Sequence, residues 1–159
     1  MRTPANLRLR TAYRGHAGSR RSEPTIRAEI RRIEAAEWHH RRLVRLALTE
    51  LDAEPRASRE TAMWMIGRVF GLLCFVSFRF APMYAAGRLK ALNVGQYEDA
   101  CRHADALGLT ELGVALDAMV EEELRHEVFF ADQCRGHALL TIAARIGGWH
   151  PDESMARFR

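Results

Sequence analysis

At 159 residues, 48% apolar and 28% charged, the chain agrees with one soluble globular domain that has a sizeable core. Its formal charge of +4 hides an asymmetry. Residues 1 to 45 carry 12 Arg and 4 Glu, net +8, which leaves 12 basic and 16 acidic side chains, net −4, for the rest. Three widely spaced cysteines, Cys74, Cys101 and Cys134, exclude a disulfide framework or a zinc knuckle, and the absence of a glycine-rich phosphate loop or a Gly-x-Ser-x-Gly elbow excludes the enzyme classes those motifs mark. A reducing compartment is expected.

Residues 1 to 22 hold six Arg and no acid, with too few apolar positions to bury a face, and read as a basic, mostly irregular segment. Such a stretch resembles a mitochondrial presequence, yet 23 Arg against a single Lys across the chain points to an arginine-biased composition instead. The expected location is cytoplasmic, peripheral on the inner face of the cell membrane, with a mitochondrial location as the alternative. Aromatic residues do not interleave the basic ones, so the segment reads as a solvated tail, and no nucleic-acid partner is expected.

Ser22, Glu23 and Pro24 make a helix-start signal, and the helix runs to about Leu51. Its apolar seam is Ile26, Ile30, Ile33, Glu37, His40, Val44, Ala47, Leu51. Pro55 lies in the break that follows. The next helix, about Ser58 to Phe80, is apolar nearly all round, and its uncharged run from Val69 to Phe78 is ten residues, too short to span a bilayer. It is expected as an additional long apolar helix, either central in the core or lying in the headgroup region of a membrane.

Pro82 stops that helix, and another runs from about Met83 to Leu107, with a kink expected at Asn93-Val94-Gly95. Its seam is read as Leu89, Leu92, Gln96, Ala100 or His103, and Leu107, which turns Gln96 inward and Glu98 away. Thr110 and Glu111 open a helix with the seam Leu112, Leu116, Met119, Glu123, His126, Phe130. A last segment, about Gly136 to Ile146, is expected to add Leu139, Leu140 and Ile142 to the core. Gly147-Gly148 ends it, so the helical domain covers residues 23 to 149 and residues 150 to 159 form a C-terminal tail.

Two of these seams are interrupted by the same pair of residue types, Glu37-x-x-His40 and Glu123-x-x-His126. Burying an unpaired carboxylate is costly, and a metal ion is a partner that carboxylate and imidazole can share. Residues three apart on a helix sit about 60° apart and about 4.5 Å along the axis, close enough for both side chains to reach one ion. The other reading is a core histidine bonded to its own helix's glutamate. Four or five helices with inward carboxylates and two such motifs match an all-α, ferritin-like di-iron bundle.

From Arg14 to about Trp149 the chain resembles the demethoxyubiquinone hydroxylase family, ferritin-like monooxygenases of ubiquinone biosynthesis. The resemblance rests on Ala36-Glu37-Trp38-His39-His40-Arg41-Arg42, Met63-Trp64 through Gly71-Leu72, Met83-Tyr84-Ala85-Ala86-Gly87-Arg88-Leu89, Asn93-Val94-Gly95-Gln96-Tyr97 and Glu123-Leu124-Arg125-His126-Glu127. It implies two iron ions, one held by Glu37 and His40 and the other by Glu123 and His126, with bridging carboxylates. It also implies dioxygen activation and hydroxylation of a polyprenyl quinone-like ring, whose tail enters from a membrane surface. A homo-oligomer is compatible with it.

The chain departs from the family at two ligand positions. The family's first helix opens with Gly-Glu-Val/Ala-Gly, where this chain has Gly15-His16-Ala17-Gly18, and a further glutamate falls near Gln96. His16, Gln96, Glu98, Glu34 and His103 are therefore further candidate ligands, and Glu122 is an acid one turn before His126. Three functions stay open: a di-iron hydroxylase, a degenerate relative acting as a binding or scaffold protein in quinone synthesis, and an iron-handling protein.

Overall fold

The computed structural model describes residues 24 to 157, except 55, 59, 60, 63, 66, 67 and 69 to 78. Every regular element among the described residues is helical, so the all-α expectation holds. The chain divides into two compact units, Met1–Phe78 and Arg79–Arg159.

In the first unit, helix α1 spans Pro24–Glu50. Its buried residues are Ile26, Ile30, Ile33 and His40, spaced by four, three and seven, which is one stripe of a 3.6-residue helix. Glu37 is half-buried on the same stripe. The helix stops where Asp52 takes a left-handed backbone, φ 51°. There the Ala53 amide reaches back to the Leu48 carbonyl at 2.8 Å and the Asp52 amide to the Thr49 carbonyl at 3.2 Å, so two end carbonyls that the helix leaves open are satisfied.

The apolar helix expected over residues 58 to 80 falls largely outside the described residues, as do His16 and the basic segment. What is described there is helical at residues 57, 58, 61, 62, 64, 65 and 68. Among the described residues no helix is long and apolar enough to cross a membrane.

The second unit is built on α2, Phe80–Ala106, and α3, Thr110–Cys134. Gly108, at φ 69°, caps α2 with the same pair of reaching-back amides, Leu109 to Ala104 at 2.9 Å and Gly108 to Asp105 at 3.0 Å. A three-residue link of this kind folds the two helices into an antiparallel hairpin. Successive neighbours run in opposite chain directions: Asp105 lies beside Gly113, Lys90 and Asn93 beside Glu123, and Phe80 stacks on His137 just past the end of α3.

Helix α3 buries Leu116, Met119, Glu123, His126 and Phe130 of the expected seam, leaving its first member Leu112 half-buried, together with Gly113, Glu127, Ala131 and Cys134. Helix α2 differs from its reading. Its inner face is Met83, Gly87, Lys90, Val94, Cys101 and Ala104, whereas Leu92, Gln96, His103 and Leu107 are exposed. Hydropathy alone assigns a lysine to water, and that moved the expected stripe round the helix. A buried counter-charge reverses the assignment.

Two short helices complete the unit. Helix α4, Leu140–Gly147, leaves Leu139 and Ile142 exposed at 53% and 58%, so they do not join the core as expected. Only Ala144 of this helix is buried. Gly148, at φ 67°, then turns the chain into Trp149 and α5, Pro151–Arg157, within the stretch expected to be a tail. Proline in the first turn, followed by Asp152 and Glu153, suits a helix start, and α5 packs on α3.

Candidate functional site

The most buried polar groups of the second unit lie between α2 and α3. Glu123 is 0% exposed, and the Lys90 side chain that faces it is 1% exposed. The Lys90 ammonium donates to Glu123 Oε1 at 3.1 Å, and the Asn93 amide donates to Glu123 Oε2 at 3.0 Å. Lys90 and Asn93 are three residues apart, hence neighbours on one face of α2. Each carboxylate oxygen thus holds a donor from the facing helix. A carboxylate buried this deeply needs such partners, because desolvation without them costs several kcal/mol.

His126 lies one turn along α3 from Glu123 and is 1% exposed. Its Nδ1 stands 3.6 Å from Glu123 Oε1, a close approach that is too long for a hydrogen bond. Nδ1 makes no hydrogen bond among the described residues. Burial lowers the pKa of this imidazole, Glu123 opposes that shift, and the charge on Lys90 lowers it further. His126 is therefore held as a neutral ring.

A second polar cluster follows on the same helix. Glu127 Oε1 accepts the Trp149 indole N–H at 2.8 Å and also the Ser154 hydroxyl. The indole N–H lies 3.0 Å from Ser154 Oγ, and the Tyr84 hydroxyl donates to the Trp149 carbonyl at 2.9 Å. Trp149 therefore ties together α2, α3 and α5. Glu127 Oε2 is buried and has no hydrogen-bond partner among the described residues.

The sequence-derived candidates fall into three groups. His40, Glu123 and His126 are buried and Glu37 is half-buried, each on the stripe expected for it. Gln96, Glu98 and His103 are exposed, and His103 Nδ1 lies 2.6 Å from the Asp99 carbonyl within its own helix, so none of the three points inward as a ligand of this unit. The sequence pattern turns Gln96 inward, whereas the register set by Lys90 turns it out. Glu34 and Glu122 are half-buried, and His16 lies outside the described residues.

Lys90, Asn93, Glu127 and Trp149 are not among the site residues that the sequence suggests. One signal did exist: Lys90 is the only lysine beside 23 arginines, and it stands within an otherwise apolar run, Leu89-Lys90-Ala91-Leu92. No family model matches the chain, and no curated protein or solved structure matches it either.

For the iron that the family resemblance implies, this half of the donor set is a poor fit. Neutral His126 is suited to a metal, but both oxygens of Glu123 already hold hydrogen bonds, one of them from a full positive charge. A divalent ion at that carboxylate would face the Lys90 ammonium at short range in a site with little water to screen the repulsion.

Proposed function

We propose that this chain is a metal-poor, ferritin-like relative of the demethoxyubiquinone hydroxylases that serves as a binding or scaffold protein for a polyprenyl quinone-like molecule. The observation that carries the reading is the buried Lys90–Glu123 pair, closed on its other side by Asn93. In that pair an ammonium stands beside the carboxylate that the resemblance would assign to a redox-active ion. Further support comes from the ligand positions at which the chain departs from the family, His16 and Gln96. On this reading the protein acts as a peripheral partner at the inner face of a membrane, and what it offers the quinone is binding and orientation.

Two measurements test it. Anaerobic titration with ferrous iron should count zero ions or one per chain, and a count of two would sink the reading. A short-tailed ubiquinone analogue should quench the tryptophan fluorescence saturably; no saturable quenching would remove the quinone from the proposal.

A second reading, the di-iron hydroxylase itself, is favoured by one specific feature. Both Glu-x-x-His pairs keep their stripes, with His40 and His126 each at 2% exposure or less. Hydroxylation of a quinone analogue by the reduced, iron-loaded protein would establish it. No product above the protein-free control leaves the binding role.

A further inference from the structure

We propose that the Lys90 ammonium is a built-in substitute for a divalent cation at Glu123, and that removing it turns Glu123 and His126 into a site for a first-row divalent ion such as Fe2+, Co2+ or Zn2+. This rests on the metal-poor reading above and names the residue that enforces it.

Three observations converge. The first is position: Lys90 Nζ sits 3.1 Å from Glu123 Oε1, and both side chains are at most 1% exposed, so water does little to screen the charge from the carboxylate. The second is residue type. Every other one of the 24 Lys and Arg residues is arginine, and the exception is the one buried against this carboxylate. Guanidinium is a broad planar fork, whereas an ammonium is a compact point charge with donors in all directions, and of the two it is nearer in shape to a bare ion.

The third is the neighbour. His126 is buried, its Nδ1 makes no hydrogen bond among the described residues, and that atom lies 3.6 Å from Glu123 Oε1. Two ligand atoms each about 2.1 Å from a tetrahedral ion are about 3.4 Å apart, so this oxygen and nitrogen are already spaced to share one. An imidazole with a carboxylate suits borderline first-row ions rather than calcium or magnesium. What keeps an ion out is the ammonium.

The test uses the full chain, stripped with EDTA, as wild type, Lys90→Met and Lys90→Met/Glu123→Gln. Ions are counted by calorimetry with Zn2+, and the ligand field is read by the visible absorption of Co2+. Lys90→Met is expected to bind one ion more per chain than wild type, at least tenfold more tightly than wild type takes up any such ion, and its melting temperature should rise with added cation. The double variant should lose the extra ion and fold without it.

If Lys90→Met is unfolded when stripped, recovery of its helical circular dichroism on adding Zn2+ is the equivalent result. No extra ion at millimolar cation, no recovery of fold, or an extra ion that persists in the double variant would each overturn the proposal. The two readings fail separately. Two ions on wild type contradict the metal-poor protein, whereas equal counts for wild type and Lys90→Met contradict the substitution by lysine.

Discussion

The indole of Trp149 lies so close to the backbone of Gly87 that a Cβ added there would stand 2.0 Å from Cη2 and 2.6 Å from Cζ2 and Cζ3. Glycine at this point of α2 is what lets the ring reach the hairpin. Gly87→Ala should therefore push the indole outward and destabilise the protein by about 1 to 3 kcal/mol, the usual cost of overpacking. Urea unfolding followed by tryptophan emission checks this. An unchanged midpoint and emission maximum would mean that the contact yields without cost.

The buried pair gives a second prediction. Lys90→Met alone or Glu123→Gln alone leaves its partner without a counter-charge, and each should cost about 3 to 5 kcal/mol. The double variant should cost clearly less than the two losses added together, because it removes both charges at once. Chemical denaturation of the four proteins measures the coupling. Additive losses would show that the two side chains do not depend on each other.

Two thiols should be inert in the folded protein. Burial pushes Cys134 up to about 12, and burial with help from Asp117 pushes Cys101 up to about 11. The thiolate is the reactive form, so at pH 8 neither should be labelled by iodoacetamide on a timescale of minutes. In a Cys74→Ser background, label should enter both together on unfolding in guanidinium. Rapid labelling of folded protein at either position would contradict the burial described for it.

Acid should weaken the fold in part through His126. Its pKa is lowered in the folded state, while in the unfolded chain it returns to about 6.5. Below that value the unfolded chain binds a proton that the folded one refuses, so this contribution is complete above about pH 6.5 and is lost as the pH falls further. Between pH 7 and 5, in EDTA, wild type should lose more stability than His126→Gln. Parallel pH profiles for the two proteins would remove His126 from the effect.

How much of this was legible in the sequence differs helix by helix. In α1 and α3 apolar residues recur every three or four positions, so the stripe and the polar residues that interrupt it could be placed from spacing alone. Helix α2 defeated that approach because its inward face carries a glycine and a lysine. Gly87 has no side chain to register in a hydropathy pattern, and Lys90 registers as outward.

Only the carboxylate 33 residues later on the facing helix makes the lysine an inward residue, and a one-dimensional period cannot see across a hairpin. The same holds for Glu127. It stands one position past His126 and looks like the start of the solvated face until Trp149, at the expected end of the domain, and Ser154, beyond it, come back to it. Leu139 and Ile142 failed in the opposite sense, since apolar residues just before and on a helix of eight have room to stay outside.

Trp149 has a consequence for how the second unit opens. Its main chain is held by Tyr84 of α2, its ring nitrogen by Glu127 of α3 and Ser154 of α5, and the outer edge of its ring fills the notch at Gly87. None of the three helices can leave without breaking a bond to this residue. Amide protons in the middle of all three should then exchange with solvent through one shared event and slow together, rather than fray in sequence from the chain end. A residue placed just after a glycine turn near the end of the chain sets the cooperativity of a unit whose first long helix begins 69 residues before it.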